Sequence, residues 1–314
     1  ISGLEFFGRQ SRSRKLSGLS GPSSAPNLFC SALLHKKGFP LKPGRKLCSK
    51  QKLDINMNIL DKIIEQKHVE IAESKKKISL IEVKDSAFFH RNTFSLKETL
   101  KSKSGIIAEF KRKSPSKGII NDKAAVLDVA QSYEKFGASG ISILTDHQFF
   151  GGNLEDLLKV RNEISIPILR KDFMIDEYQF YEAKANGADV ILLIASCLSP
   201  SQVQEFTDLA HQLGLEVLLE IHTEEELNHY NKNIDLVGIN NRNLKDFKVD
   251  LQHSVNLKNL LPSETLSVAE SGIYSLKDFQ FLKEKGFDGF LMGEYFMRNE
   301  NPMNKFKEFI DVVM

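Results

Sequence analysis

From residue 104 to the last residue, 314, one beat recurs eight times: a short apolar run, then an amphipathic stretch. The beat predicts an α/β protein closed into a (β/α)8 barrel, the TIM-barrel architecture, with extra N-terminal helices. Three observations carry the prediction. Most runs are continuously apolar, as strands covered on both faces must be. The stretches between them have helical length and spacing. Several of those stretches meet a Gly just before the next run (Phe136-Gly137, Asn186-Gly187, Leu213-Gly214, Lys285-Gly286), where a left-handed residue stops a helix. A doubly wound open sheet is the alternative. It is weakened because no GxGxxG or GxxxxGK[ST] loop follows the first strand.

Residues 1–56 precede the beat. They hold eleven Lys and Arg against two acids, Glu5 and Asp54, a charge of +9; with the whole chain at +2, the remainder stands at −7. The basic excess therefore belongs to this leader and does not argue that the body binds nucleic acid. Rich in Ser, Gly, Lys and Arg and without sustained periodicity, 1–56 is expected to be a disordered basic leader, transit-like or non-native. Residues 57–314 are expected to form one catalytic domain.

The body opens with Ile59, Ile63 and Ile64 at helical spacing, which predicts a helix over 58–78. Ser95-Leu96-Lys97-Glu98 has the form of a capping box and starts a second, short helix. The eight strand–helix pairs then follow. They are 106–110 with 122–136, 140–144 with 154–162, 167–170 with 177–186, and 189–194 with 200–213. The second half pairs 216–221 with 224–230, 236–240 with a weaker helix at 254–260, 266–269 with 276–285, and 288–292 with 302–313.

No apolar run approaches the length needed to span a bilayer, so no membrane association is expected. The three cysteines, Cys30, Cys48 and Cys197, show neither metal nor disulfide spacing, which suits a reducing compartment. Cys197 follows an apolar run and reads as a buried small residue.

In a barrel of this kind the active site lies at the C-terminal strand ends. Those ends carry Glu109 with Lys111, Thr145 with Asp146, Lys171 with Asp172, Glu220, Asn240 with Arg242, Glu270 with Ser271 and Gly272, and Gly293. Polar or ionisable groups at nearly every strand end are hard to explain as packing, because a buried charge is tolerated only when paired or functional. Strand alternation puts Glu109 and Lys111 on one side and Phe110 on the other. Ser271-Gly272 and Gly293, after the seventh and eighth strands, suit the usual phosphate subsite of the architecture. Arg242 and the Ser114/Lys117 loop add charge-assisted contacts.

The ordered blocks AEFKRKSPSKG, LTDHQFFGG, PILRKDF, LLEIH, GINNRNL, VAESGI and FLMGEYFM resemble indole-3-glycerol-phosphate synthase, an enzyme family of tryptophan biosynthesis, over residues 57 to 314. The resemblance implies ring closure of 1-(2-carboxyphenylamino)-1-deoxyribulose 5-phosphate, with loss of CO2 and water, and neither metal nor organic cofactor. It implies Lys171 as general acid, Lys111 as the group meeting the substrate carboxylate, and Glu220 as general base. Glu109 and Asn240 would position these groups, and Glu270 would stand beside them. Ser114, Arg242, Ser271, Gly272, Gly293 and Glu294 would hold the phosphate. Pro115, Phe150, Phe173, Leu192, Leu244 and Leu291 would wall the aromatic ring. Glu294 stands where some members carry a small hydroxyl residue, and an inward-turned carboxylate there would repel the ligand.

The resemblance also implies a small phosphorylated substrate, no nucleic-acid or membrane partner, a monomer or weak dimer, and contact with other tryptophan-pathway enzymes. The expected location is the cytoplasm, or a plastid if 1–56 is a transit peptide. Two other readings compete. The sister enzyme phosphoribosylanthranilate isomerase is expected to use a Cys and an Asp, whereas the first strand ends here in Glu109 and Lys111. A non-catalytic scaffold should have lost some of these groups.

Overall fold

The apolar runs become eight strands: β1 Ile106–Phe110, β2 Gly140–Leu144, β3 Ile168–Lys171, β4 Val190–Ile194, β5 Glu216–Ile221, β6 Leu236–Asn240, β7 Ser267–Glu270 and β8 Gly289–Met292. The computed structural model describes residues 58–243 and 248–314, so the leader 1–56 and Leu244 lie outside the described residues. Each strand pairs in parallel with its sequence neighbours, and β1 pairs with β8 to close the barrel. One face of each strand points into the barrel and the other meets the helices. Ile107, Leu169, Leu192, Leu218, Val268 and Leu291 form the inner cluster, while Ile106, Ala108 and Phe110 belong to the larger outer one. This parity fixes the site. Continuing it to the strand ends aims Glu109, Lys111, Lys171, Glu220, Asn240 and Glu270 inward.

The helices are α1 Ile59–Lys77, α2 Leu80–Lys84, α3 Leu96–Ser102, α4 Val126–Lys135, α5 Leu154–Arg161, α6 Tyr178–Ala185, α7 Pro200–Gln212, α8 Leu251–Lys258, α9 Leu276–Glu284, α10 Glu294–Met297 and α11 Pro302–Val313. The glycines read as helix stops, Gly137, Gly187, Gly214 and Gly286, all have positive φ. Three expected helices differ in detail: the one expected over 122–136 begins four residues later, at Val126. The segment expected as a helix at 224–230 winds as a 3-10 turn, Glu225–His229. Helix α8 begins three residues before Ser254 because the Asp250 side chain accepts from His253 N and caps it. The sequence reading did not anticipate α2, α10, or the antiparallel ribbon of Lys113–Ser114 with Gly118–Ile119 after β1.

Helix α3 plugs the barrel floor. Leu96 and Leu100 join the inner cluster. The Glu216 carboxylate, at the start of β5, accepts from Ser95 Oγ (2.5 Å), Leu96 N (2.8 Å) and Lys97 N (3.2 Å). First-turn N–H groups without helical partners thus meet a negative charge. The floor is closed and the opposite mouth is left for the site. Among the described residues, no helix is long and apolar enough to cross a membrane.

Candidate active site

A cavity opens over the C-terminal strand ends. Most of the site residues singled out in the sequence line it; Thr145, Asp146 and Lys117 do not, and Leu244 lies outside the described residues. Its centre is a chain of charges. Lys171 Nζ lies 2.7 Å from Glu220 Oε2 and 2.5 Å from Glu270 Oε2. Asn240 Nδ2 donates to Glu220 Oε1 at 2.9 Å, and His222 Nε2 stands 3.1 Å from that same oxygen. Lys111 Nζ pairs with Glu109 Oε1 at 2.5 Å, the same-side placement that alternation predicts.

One ammonium between two buried carboxylates leaves them unequal. Burial works against a charged Lys171, but Glu220 and Glu270 outweigh it and hold its pKa above the ordinary lysine value. Burial also opposes ionisation of Glu220, yet Lys171 and then His222 carry its carboxyl well below the usual range. Glu270 goes the other way: burial, with Glu220 as a like charge, pushes it up to about 7 although Lys171 pulls it down. His222 loses by burial but gains more from Glu220 and Glu226, and rises to about 9. The result is an ionised Glu220, a cationic Lys171 and a Glu270 that exchanges a proton near neutrality. Cys197 is pushed up to about 12, chiefly by burial, which makes it an inert thiol.

Arg242 organises a second group of residues. Its backbone N–H donates to Asn240 Oδ1 (3.0 Å), its NH1 to Ser116 Oγ (2.8 Å) and its NH2 to Tyr274 OH (2.6 Å). Glu294 Oε2 lies 3.3 Å from NH2, so this carboxylate is turned toward the guanidinium. Arg242 Nε is buried without a hydrogen-bond partner. Ser271 has φ 63°, the sole positive value outside glycine among the described residues, and Gly272 follows at 70°. A Cβ on Gly272 would fall 2.3 Å from Val249 Cγ1, so both backbone conformation and space require glycine there. Ser114 Oγ is 3.5 Å from Ser116 Oγ.

The apolar lining contains Phe150 and Phe173, with ring centroids 6.1 Å apart, together with Pro115, Leu192 and Leu291. Sequence reasoning missed Ser116, Tyr274, His222, and the contribution of α1, whose Ile59, Leu60 and Ile63 also line the cavity. The signal for α1 was present as its apolar stripe. Thr145, Asp146 and Asp172, grouped with the strand-end chemistry in the sequence, are instead engaged by Lys67 and Arg170. Thr145 and Asp172 have parity opposite to that of Lys171, and Asp146 lies beyond the end of β2. Among the described residues, no group of three or more His, Cys, Asp or Glu is arranged to hold a metal ion.

Comparison with known proteins identifies the family. A sequence profile described as indole-3-glycerol phosphate synthase matches residues 60–309. The indole-3-glycerol phosphate synthase of Bacteroides thetaiotaomicron is 46% identical over 257 residues, covering 82% of this chain and 99% of that protein. That of Paracidovorax citrulli is 44% identical, covering 78% and 96%. Among solved structures, the tryptophan synthase α2β2 complex of Pyrococcus furiosus matches with a TM-score of 0.51 at 15% identity, over 67% of this chain and 97% of that one; this likeness concerns the barrel fold alone. A profile spanning nearly the whole barrel and relatives above 40% identity along their own length agree, and the chain belongs to the indole-3-glycerol phosphate synthase family of carboxy-lyases in tryptophan biosynthesis.

Proposed function

We propose how this site divides the family's reaction, the ring closure of 1-(2-carboxyphenylamino)-1-deoxyribulose 5-phosphate to indole-3-glycerol phosphate, among its residues. The observation that carries the reading is the Lys171 ammonium, shared between two buried carboxylates in a cavity that also holds a guanidinium group and an aromatic pair. Lys171 is the general acid. When the ring carbon attacks the substrate carbonyl, negative charge develops on its oxygen, and a nearby ammonium stabilises it and transfers a proton once that oxygen becomes basic enough. Lys111, held by Glu109, meets the substrate carboxylate until CO2 departs.

Dehydration then needs an acid for the departing hydroxyl, which Lys111 supplies as a second acid, and a base for the proton that leaves carbon. Glu220 is ionised, is oriented by Asn240 and His222, and takes the role of base. Glu270 shares Lys171 with Glu220 and buffers the proton count of the trio. Arg242, Ser114, Ser271, Gly272, Gly293 and Glu294 form the phosphate subsite, in which the Glu294 carboxylate gives up Arg242 as the dianion arrives. Pro115, Phe150, Phe173, Leu192 and Leu291 wall the ring. Fixing a flexible substrate at two points brings its reacting carbons together. The relatives reported above are bacterial, which supports a cytoplasmic place of action and lends nothing to a plastid one.

The test is turnover followed by indole fluorescence. Lys171→Ala and Glu220→Gln are each expected to cut kcat by about a hundredfold or more with the fold intact, the range that loss of a general acid or base produces. Unchanged turnover in both variants would show the roles to be misassigned.

A further inference from the structure

Helix α1 carries a lysine in the middle of its apolar stripe. Ile63, Lys67 and Ile71 recur every fourth residue on the buried face, and Lys67 is only 3% exposed. A buried ammonium persists only with partners. Lys67 Nζ lies 2.8 Å from Asp172 Oδ1, 3.1 Å from Asp146 Oδ2 and 2.6 Å from Glu70 Oε2. Burial disfavours its charge, but Asp172 and Asp146 outweigh burial and raise its pKa.

The two aspartates have further duties. Asp146 Oδ1 accepts from Phe149 N (2.8 Å) and Phe150 N (3.2 Å), and so shapes the turn that bears Phe150. Asp172 Oδ1 accepts from Phe173 N (2.8 Å), while its Oδ2 is held by Thr145 and Arg170. The first turns of α1 meanwhile give Ile59, Leu60 and Ile63 to the cavity. Three separate parts of the chain therefore contribute apolar lining, and one ammonium touches the carboxylates that organise two of them while belonging to the third.

We propose that Lys67 is the positioning residue of the apolar subsite, holding the start of α1, the Phe150 turn and the Phe173 turn in one arrangement. The proposal deepens the ring-subsite reading given above and rests on it. Lys67 acts through the wall and touches no reacting atom.

The experiment measures competitive inhibition of the full-length enzyme by two probes, anthranilate for the ring subsite and inorganic phosphate for the Arg242 group. Lys67→Met keeps length and apolar bulk but removes the charge. It is expected to raise the anthranilate Ki by about tenfold or more, as misplacement of a cavity wall does. The phosphate Ki is expected to stay within about twofold, as for distant independent sites. Lys67→Arg keeps a cation and stays near wild type. Because Lys67→Met strands two buried carboxylates, the double variant Lys67→Met/Asp146→Asn removes one of them; its anthranilate Ki is expected to remain raised.

Equal changes in both inhibition constants, no change in either, a wild-type anthranilate Ki in the double variant, or failure of both variants to fold would each overturn the proposal. If anthranilate does not compete in the wild-type enzyme, the ring-subsite reading falls and takes this proposal with it. Competition that Lys67→Met leaves unchanged defeats the proposal alone.

Discussion

Lys171 cannot neutralise Glu220 and Glu270 equally, and the inequality has a consequence for stability. Glu270 titrates at about 7 in the folded chain against 4.5 for a free glutamate. Between those values the folded chain keeps a proton that the unfolded chain has released, so stability falls as pH rises through this window and stays lower above it. Glu270→Gln has no proton to lose. It is expected to melt higher than wild type at pH 8 but not at pH 4, by about 2 °C per kcal/mol recovered in a chain of this size, while turnover falls. Thermal melts at the two pH values check this; an equal shift at both would refute the assignment. His222 acts in the same sense, since its folded pKa of about 9 exceeds 6.5. Its stabilising contribution is complete below pH 6.5 and is lost as pH rises through 9.

At the scale of elements, strand parity does most of the placing. Once Ile107 faces inward, Glu109 and Lys111 must follow, and the same count along β3, β5 and β7 selects Lys171, Glu220 and Glu270. That is why the charged centre was legible in the sequence. The partners of Arg242 were not, because Ser116 and Tyr274 stand in loops whose approach is decided by barrel closure and leaves no periodic trace. Nor could the amphipathic pattern of α1 say which structure its stripe would cover. The expected helix at 224–230 failed for a local reason: the segment is short and tightens into 3-10 geometry. Strand β6 offers its own test. A Cβ on Gly238 would fall 1.9 Å from Glu270 Oε1, so the strand needs glycine to seat that carboxylate. Gly238→Ala is expected to displace Glu270 from Lys171 and lower kcat by about tenfold, or about 1.4 kcal/mol of barrier, with the far-UV circular dichroism of the barrel retained. An unaltered kcat would show that the Glu270–Lys171 contact is dispensable.

For the whole molecule, the barrel confines the chemistry to one mouth. The floor is filled by α3 and sealed by Glu216, while α1 leans over the opposite mouth and lines the cavity there. These helices and the eight strand units all begin after residue 57, so a chain starting at Met57 is expected to keep kcat/KM within about twofold of the full chain, as for changes remote from a site. A large loss would assign residues 1–56 a part in folding or catalysis. The eightfold beat made the architecture readable from sequence, because continuous apolar runs and glycine stops are local features that survive closure. The central claim is that one cavity separates chemistry from anchoring. Steady-state kinetics of Lys171→Met beside Arg242→Ala test it most directly. Lys171→Met should lose kcat with KM little changed, and Arg242→Ala should raise KM with kcat largely kept, since phosphate binding serves ground and transition states alike. Parallel changes in kcat and KM in both variants would contradict the account.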